Sequence, residues 1–167
     1  MSQRSLTAEM SRFFDHLYRR IVGISSTQFS RISPHLYLGG QYSKNGLSVL
    51  KWLGFTGIVS IRTKIEPGLF SRDEIEFLQL RIPDKNVPTA AQLNQFVTFI
   101  KKHKKSNGRV YVHCAVGEGR SPTLVTAYLM STGLTLDESL HQIKSVRNFI
   151  RPTKVQMTFL ERLNSNN

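Results

Sequence analysis

The segment from Val110 to Ser121, Val-Tyr-Val-His-Cys-Ala-Val-Gly-Glu-Gly-Arg-Ser, constrains the fold more than any other stretch of the chain. Val110 to His113 is a compact β-rich run that leads straight into Cys114 and a loop carrying Gly117 and Gly119. A helix then opens near Ser121-Pro122, where a proline loses nothing because the first-turn N–H has no intrahelical partner. Leu124, Ala127 and Tyr128 share one face of that helix, and Gly133 ends it. A strand passing through a short loop into a helix belongs to a layered α/β arrangement.

The rest of the chain repeats this alternation. Ile32 to Gly40 reads as a strand stopped by two glycines, Gly57 to Ile61 as a buried strand, and Phe77 to Ile82 as another. Between and after them come helical stretches. Leu47, Leu50 and Leu53 are closed by Gly54. Leu93, Phe96, Val97 and Ile100 follow a capping box of Thr89 and Gln92. Leu136, Leu140 and Ile143 follow Thr135 and Glu138, and Phe159, Leu160 and Leu163 follow Thr153 and Gln156. Ser71 to Glu74 reads as one more capped turn. Strands alternating with helices predict an α/β fold: one layered domain with a central, mainly parallel sheet of about four to five strands flanked by helices.

Residues 1–26 read as a separate amphipathic helical extension, with the main domain at 27–167. Met10, Phe13, Phe14, Leu17 and Ile21 recur at helical spacing among Arg4, Arg12, Arg19 and Arg20. The default for such a stripe is packing on the domain. A membrane-surface helix and an organelle transit peptide are the alternatives, and Glu9 and Asp15 argue against the latter. The 167 residues carry a net charge of +12 from 23 basic and 11 acidic side chains, which favours anionic partners: phosphorylated molecules, acidic membrane surfaces or nucleic acid. Lys101 to Lys105 reads as a solvated helix end that complements the helix dipole. The single cysteine cannot form an internal disulfide and fits a reducing compartment. No cofactor or metal is expected, because structural zinc sites need several Cys and His at fixed spacing.

The chemistry implied by Cys114 follows from its setting. Amides of a loop between strand and helix can converge into a nest that holds an anion, and the helix N-terminus adds positive potential. Ala115, Val116, Gly117, Glu118, Gly119 and Arg120 would line that nest, with the glycines giving backbone freedom and close approach. The same surroundings bring a cysteine pKa to roughly 3.5–7.5, so that a nucleophilic thiolate exists at neutral pH. Arg120 can clamp two phosphate oxygens with its planar fork. Ser121 can donate a hydrogen bond to the sulfur. The Glu118 side chain is expected to point to solvent, and Arg62 could face the site or the surface.

His113-Cys114, five residues and Arg120-Ser121 resemble the signature of the protein tyrosine phosphatase superfamily, and more narrowly of its dual-specificity phosphatases. Ile32 to Gly39, Ala127-Tyr-Leu-Met130 and Arg147-Asn-Phe-Ile-Arg-Pro152 are similar to further segments of that family. The resemblance spans about Ser30 to Leu163. It implies a phosphocysteine intermediate on Cys114, phosphoryl binding by Arg120 and the loop, and His113 in support of the loop. It also implies a shallow pocket and a general acid on a loop before the cysteine. Asp84, in Ile82-Pro-Asp-Lys-Asn86, fits that acid, with Asp73 its competitor.

The expected function is therefore a phosphomonoester hydrolase: a protein phosphatase for phosphotyrosine, with phosphoserine and phosphothreonine as further substrates. A phospholipid or phosphoinositide phosphatase at a membrane surface and a non-catalytic phosphate-binding module are the alternatives. The absence of lysine from residues 115–119 argues against highly phosphorylated inositol lipids. An RNA-end phosphatase has only basicity in its favour, so nucleic acid is not an expected partner. The expected partners are a phosphorylated protein or small anionic phosphomonoester, and an anionic membrane surface. The chain is expected as a monomer in the cytoplasm, with an organelle or membrane association through the basic N-terminal helix as the alternative.

Overall fold

A computed structural model describes residues 5–64 and 75–165. Four strands, β1 (Leu36–Gly39), β2 (Gly57–Ser60), β3 (Glu76–Gln79) and β4 (Val110–His113), form one sheet in the order β1-β4-β2-β3. Every pairing is parallel, with Leu36 and Gly57 both in register with Val110, and Gly39 and Ser60 with His113. Among the described residues six α-helices accompany it: α1 (Leu6–Val22), α2 (Lys44–Trp52), α3 (Ala90–Lys105), α4 (Arg120–Ser131), α5 (Leu136–Val146) and α6 (Lys154–Ser165). The sheet is the expected parallel, helix-flanked one. The capped turn read at Ser71 to Glu74, and Asp73 with it, lie outside the described residues.

Both faces of the sheet are covered, as a parallel sheet requires. Leu36, Leu38, Val59, Val110 and Val112 point to one side, where Phe96 and Ile100 of α3, Leu124, Val125 and Tyr128 of α4, and Leu140 and Ile143 of α5 close over them. Tyr37, Ile58 and Tyr111 alternate to the other side and meet Leu50 of α2, Phe55 and Ile24. Leu160 of α6 packs on Ala127 and Met130, on another side of α4. Residues 121–130 are consequently all buried. The capping boxes read at Thr89 and Thr135 form as expected. The pair Thr153 and Gln156 also bonds reciprocally.

Three local readings change. The run from Ile32 does not enter the sheet until Leu36. Its first residues reverse on themselves, with Ile32 and Ser33 donating to the Leu36 carbonyl and Arg31 bridging Tyr37 in antiparallel sense. The Lys101 to Lys105 end of α3 is not uniformly solvated: His103 is buried and bonded to the Thr56 hydroxyl at 2.8 Å, and Lys102 pairs with Glu76. The third change concerns α1. Its apolar stripe does not pack on the domain: Met10, Phe13, Phe14, Leu17 and Ile21 are all exposed, while Ala8 and Asp15 are buried. The surface available to the helix is polar, built from the loop after β4 and the buried Arg147, so the polar side of α1 docks.

Candidate active site

The strands β1 and β4 lie side by side, and the loops at their carboxyl ends meet. This is the edge of an open α/β sheet where ligands bind. The loop from Cys114 to Gly119 joins β4 to α4. Its carbonyls are held from outside. The Ala115 carbonyl accepts from the Gln41 N–H and from Arg19, that of Val116 from Arg147 Nη2, that of Gly117 from Arg147 Nε, and that of Glu118 from the Arg151 N–H, at 2.6–3.1 Å. A peptide whose carbonyl is pinned outward turns its N–H the other way, so these bonds preorganise the converging amides of an anion nest. No side chain caps the N-terminus of α4, which leaves its first N–H groups and its positive dipole end facing the same place.

Of the two loop glycines, only Gly117 needs to be one on conformational grounds, with φ of +74°. A Cβ there would also collide with the Gly39 backbone and the Arg147 guanidinium. Gly119 has φ of −121°, which other residues adopt. Its lack of a side chain instead admits the Gln156 amide close by.

Cys114 is buried. Ser121 Oγ donates to its sulfur at 3.1 Å and the Gly117 N–H at 3.3 Å. Burial alone would raise the thiol pKa. Hydrogen bonds from the Ser121 hydroxyl and N–H and from the Gly117 N–H, with the charge of Arg120, outweigh it and bring the net pKa below the ordinary value. His113 is fully buried, its Nδ1 lies 3.1 Å from the Cys114 carbonyl, and its ring packs between Tyr42 and Tyr111. That is a structural position for an imidazole.

Arg120 Nη1 donates to the Ile82 carbonyl at 3.0 Å, and Nη2 lies 3.1 Å from the Asp84 carboxylate. Asp84 thus stands against Arg120, beside the loop of residues 114–119, and it is largely solvent-exposed. Its own loop is a turn closed by the Asn86 N–H on the Pro83 carbonyl, with Lys85 at φ of 61°. Gln156 ties that turn down: its Nε2 donates to the Asn86 carbonyl at 3.1 Å while its Oε1 accepts from the Thr153 N–H. Arg62 donates to the side chain of Gln41, the residue whose N–H holds the Ala115 carbonyl.

Sequence reasoning missed the supports. Arg147 has no exposed surface; it stacks on Phe149, holds two loop carbonyls and pairs with Asp15 of α1 at 2.9 Å. Asp15 also accepts from Ser25, whose hydroxyl accepts from the Gly40 N–H. Glu118 does not point to solvent as expected. Its side chain is turned against α1, where Arg12 meets it at 2.8 Å. An arginine between Val146 and Phe149 was the one visible hint, since an apolar neighbourhood makes an arginine costly unless it is paired.

Fold and site together define a domain that holds a single buried cysteine, its pKa lowered, at the start of a loop between a parallel strand and a helix N-terminus. Residues 36–166 match the family of dual specificity phosphatase catalytic domains, and the chain belongs to that family. It is 34% identical over 125 residues to dual specificity protein phosphatase 1 of Arabidopsis thaliana, covering 74% of this chain and 62% of that protein. It is 30% identical over 148 residues to the human protein phosphatase Slingshot homolog 1, covering 86% of this chain and 14% of that protein. The chain therefore spans less than two thirds of the length of these relatives. Among solved structures it resembles PTPMT1 in complex with PI(5)P (TM-score 0.72, 26% identity, 81% of this chain and 94% of that one). It also resembles DUSP15 (TM-score 0.71, 30% identity, 86% and 88%). No helix among the described residues is long and apolar enough to cross a membrane.

Proposed function

We propose that this protein hydrolyses phosphomonoesters of phosphoproteins through a phosphocysteine on Cys114. The observation that carries the reading is the buried sulfur with donors from Ser121 and Gly117 on it and a pKa held down, at the mouth of a loop whose carbonyls are pinned outward. The thiolate attacks phosphorus, forming an S–P bond as the P–O bond to the leaving group breaks. Amides of residues 115–120 and the Arg120 guanidinium take the charge on the equatorial oxygens. Asp84 gives its proton to the departing oxygen. A water deprotonated by Asp84 then attacks phosphorus, and the P–S bond breaks with Ser121 donating to the returning thiolate. His113 supports the loop and takes no part in proton transfer.

Phosphotyrosine, with phosphoserine and phosphothreonine, is the substrate class on this reading, supported by relatives named dual specificity protein phosphatases. Residues 27–167 would act as the catalytic domain and 1–26 as its extension. Small anionic phosphomonoesters are further substrates, an anionic membrane surface is a further partner, and the chain works as a monomer in the cytoplasm. A phosphoinositide or other phospholipid monoester is the second reading. It is supported by the likeness to a protein solved with PI(5)P and by the net charge of +12. The test is a panel of phosphopeptides, phosphoinositides and an aryl phosphate, all assayed in EDTA. Turnover of the aryl phosphate and phosphopeptides, abolished in Cys114→Ser, is the expected result. Full activity in Cys114→Ser would end the reading, and turnover of lipids alone would transfer it to the second substrate class.

A further inference from the structure

The helix α1 is mounted the wrong way round for a helix of a globular domain. Along its 3.6-residue turns, Leu6, Met10, Phe13, Phe14, Leu17 and Ile21 fall within an arc of about 100°. They are 78%, 50%, 63%, 51%, 44% and 75% exposed. Ala8, Arg12, Asp15 and Arg19 occupy the opposite side, and that side grips the domain through Arg147, Glu118 and the Ala115 carbonyl. Amphipathic helices ordinarily turn their apolar stripe to the core, and a contiguous exposed apolar face marks an interaction surface. Between Phe14, Leu17, Tyr18 and Ile21 and the segment of Ser26 and Gln28 runs a groove of about 500 Å³. All of this lies before residue 36, where the family match begins.

Charge selects the occupant. Arg20 is exposed at the border of the stripe, and with Arg19 and His16 it lines a cleft of about 380 Å³ that reaches Ala115 of the phosphate loop. Burial, then the nearby Arg19 and Arg12, lowers the His16 pKa, so the positive charge of the cleft at neutral pH comes from its two arginines. An apolar face with the Arg20 guanidinium at its border and a second arginine in the adjoining cleft matches the boundary of an anionic bilayer, whose acyl region takes the one and whose phosphates take the other. A second copy of this chain fits less well, since it would bring one net charge of +12 against another.

We infer that α1 seats this protein on the surface of an anionic lipid bilayer, with its apolar face in the acyl boundary and the phosphate loop, bonded to its other face, held at the interface. This deepens the membrane-surface reading of the charge and is independent of chemistry at Cys114, because its readout is binding. If aryl phosphate turnover fails while vesicle binding holds, the phosphatase reading falls and this one stands; the reverse result separates them the other way.

The test is flotation of the full chain with phosphatidylcholine vesicles, with and without phosphatidylglycerol. Binding is expected only with the anionic vesicles, weakened severalfold by raised salt. It should fall at least about tenfold in the double variant Phe13→Glu, Leu17→Glu. Thermal melting checks that the variant is folded. Hydrogen exchange of the wild-type chain needs no variant and should show added protection on vesicles concentrated in α1. No flotation with anionic vesicles, binding undiminished in the folded double variant, or protection that spares α1 would each overturn the inference. So would a wild-type dimer in solution that the double variant dissolves, since the apolar face would then belong to a second copy.

Discussion

Two helices hold the loop of residues 114–119, and they hold it by opposite means. The helix α4 continues the loop and is buried along residues 121–130, wedged between the sheet and the helices around it. The helix α1 touches the same loop from outside through Arg12, paired with Glu118, and Arg19, which donates to the Ala115 carbonyl, and braces it through the fully buried pair of Asp15 with Arg147, whose guanidinium holds two loop carbonyls. The first arrangement draws on apolar burial, which is non-directional and forgiving of small volume-conserving changes. The second draws on buried charge, which fixes geometry and fails sharply when one partner is lost. The outer faces differ accordingly: α4 has none left, while α1 keeps an apolar stripe for something beyond the domain.

The largest effect should come at the centre that both helices serve. Cys114→Ser should lower turnover of an aryl phosphate by roughly 10⁴-fold or more while keeping a folded protein, because the nucleophile is gone and the scaffold is not. Asp84→Ala should cost about 10²–10⁴-fold in kcat with substrate binding retained, and least for leaving groups that depart without a proton. Arg120→Lys should cost about 10²–10³-fold, because an ammonium keeps the charge and loses the bidentate fork.

The contrast between the two helices is sharpened by a pair of variants on α1. Asp15→Asn leaves Arg147 buried without its counter-charge and should destabilise the fold by about 3–5 kcal/mol, a loss of on the order of 10 °C in Tm. Its Cys114 should also lose reactivity, since Arg147 fixes the carbonyls of Val116 and Gly117. Ile21→Ser, on the exposed side, should change stability by no more than about 0.5 kcal/mol. Equal melting shifts for the two would break the distinction drawn between the faces.

The sheet and the α4 unit were legible in the sequence because their signals are local. The β-rich runs at Gly57 and Val110 and the Thr89 and Thr135 capping boxes each spend their information within a few residues. The loop after β4 was legible for the same reason, its cysteine, glycines and arginine lying within the seven residues from Cys114 to Arg120. What the sequence hid depends on contacts between distant parts. Periodicity says which residues of α1 share a face, not which face the domain will take. That is decided by Asp15 finding Arg147, 132 residues away. Glu118 looked like a solvent-facing residue because its partner, Arg12, lies 106 residues before it. Gln156 was read as a cap, which it is, but its second bond to the turn of Asp84 had no local signature.

Phosphoryl transfer to Cys114 requires its sulfur to be ionised at neutral pH. Burial raises its pKa, and the donors from Ser121 and Gly117 with the charge of Arg120 outweigh that and hold it below the ordinary value. The thiolate should therefore persist on the acid side of the usual cysteine range and disappear only as pH falls through the lowered pKa. The most direct measurement is the rate of alkylation by iodoacetate as a function of pH, with and without inorganic phosphate. Rapid modification at neutral pH, an inflection below that of an ordinary cysteine and protection by phosphate are the expected results. A rate that rises only through the range of an ordinary thiol and ignores phosphate would contradict an ionised sulfur at Cys114.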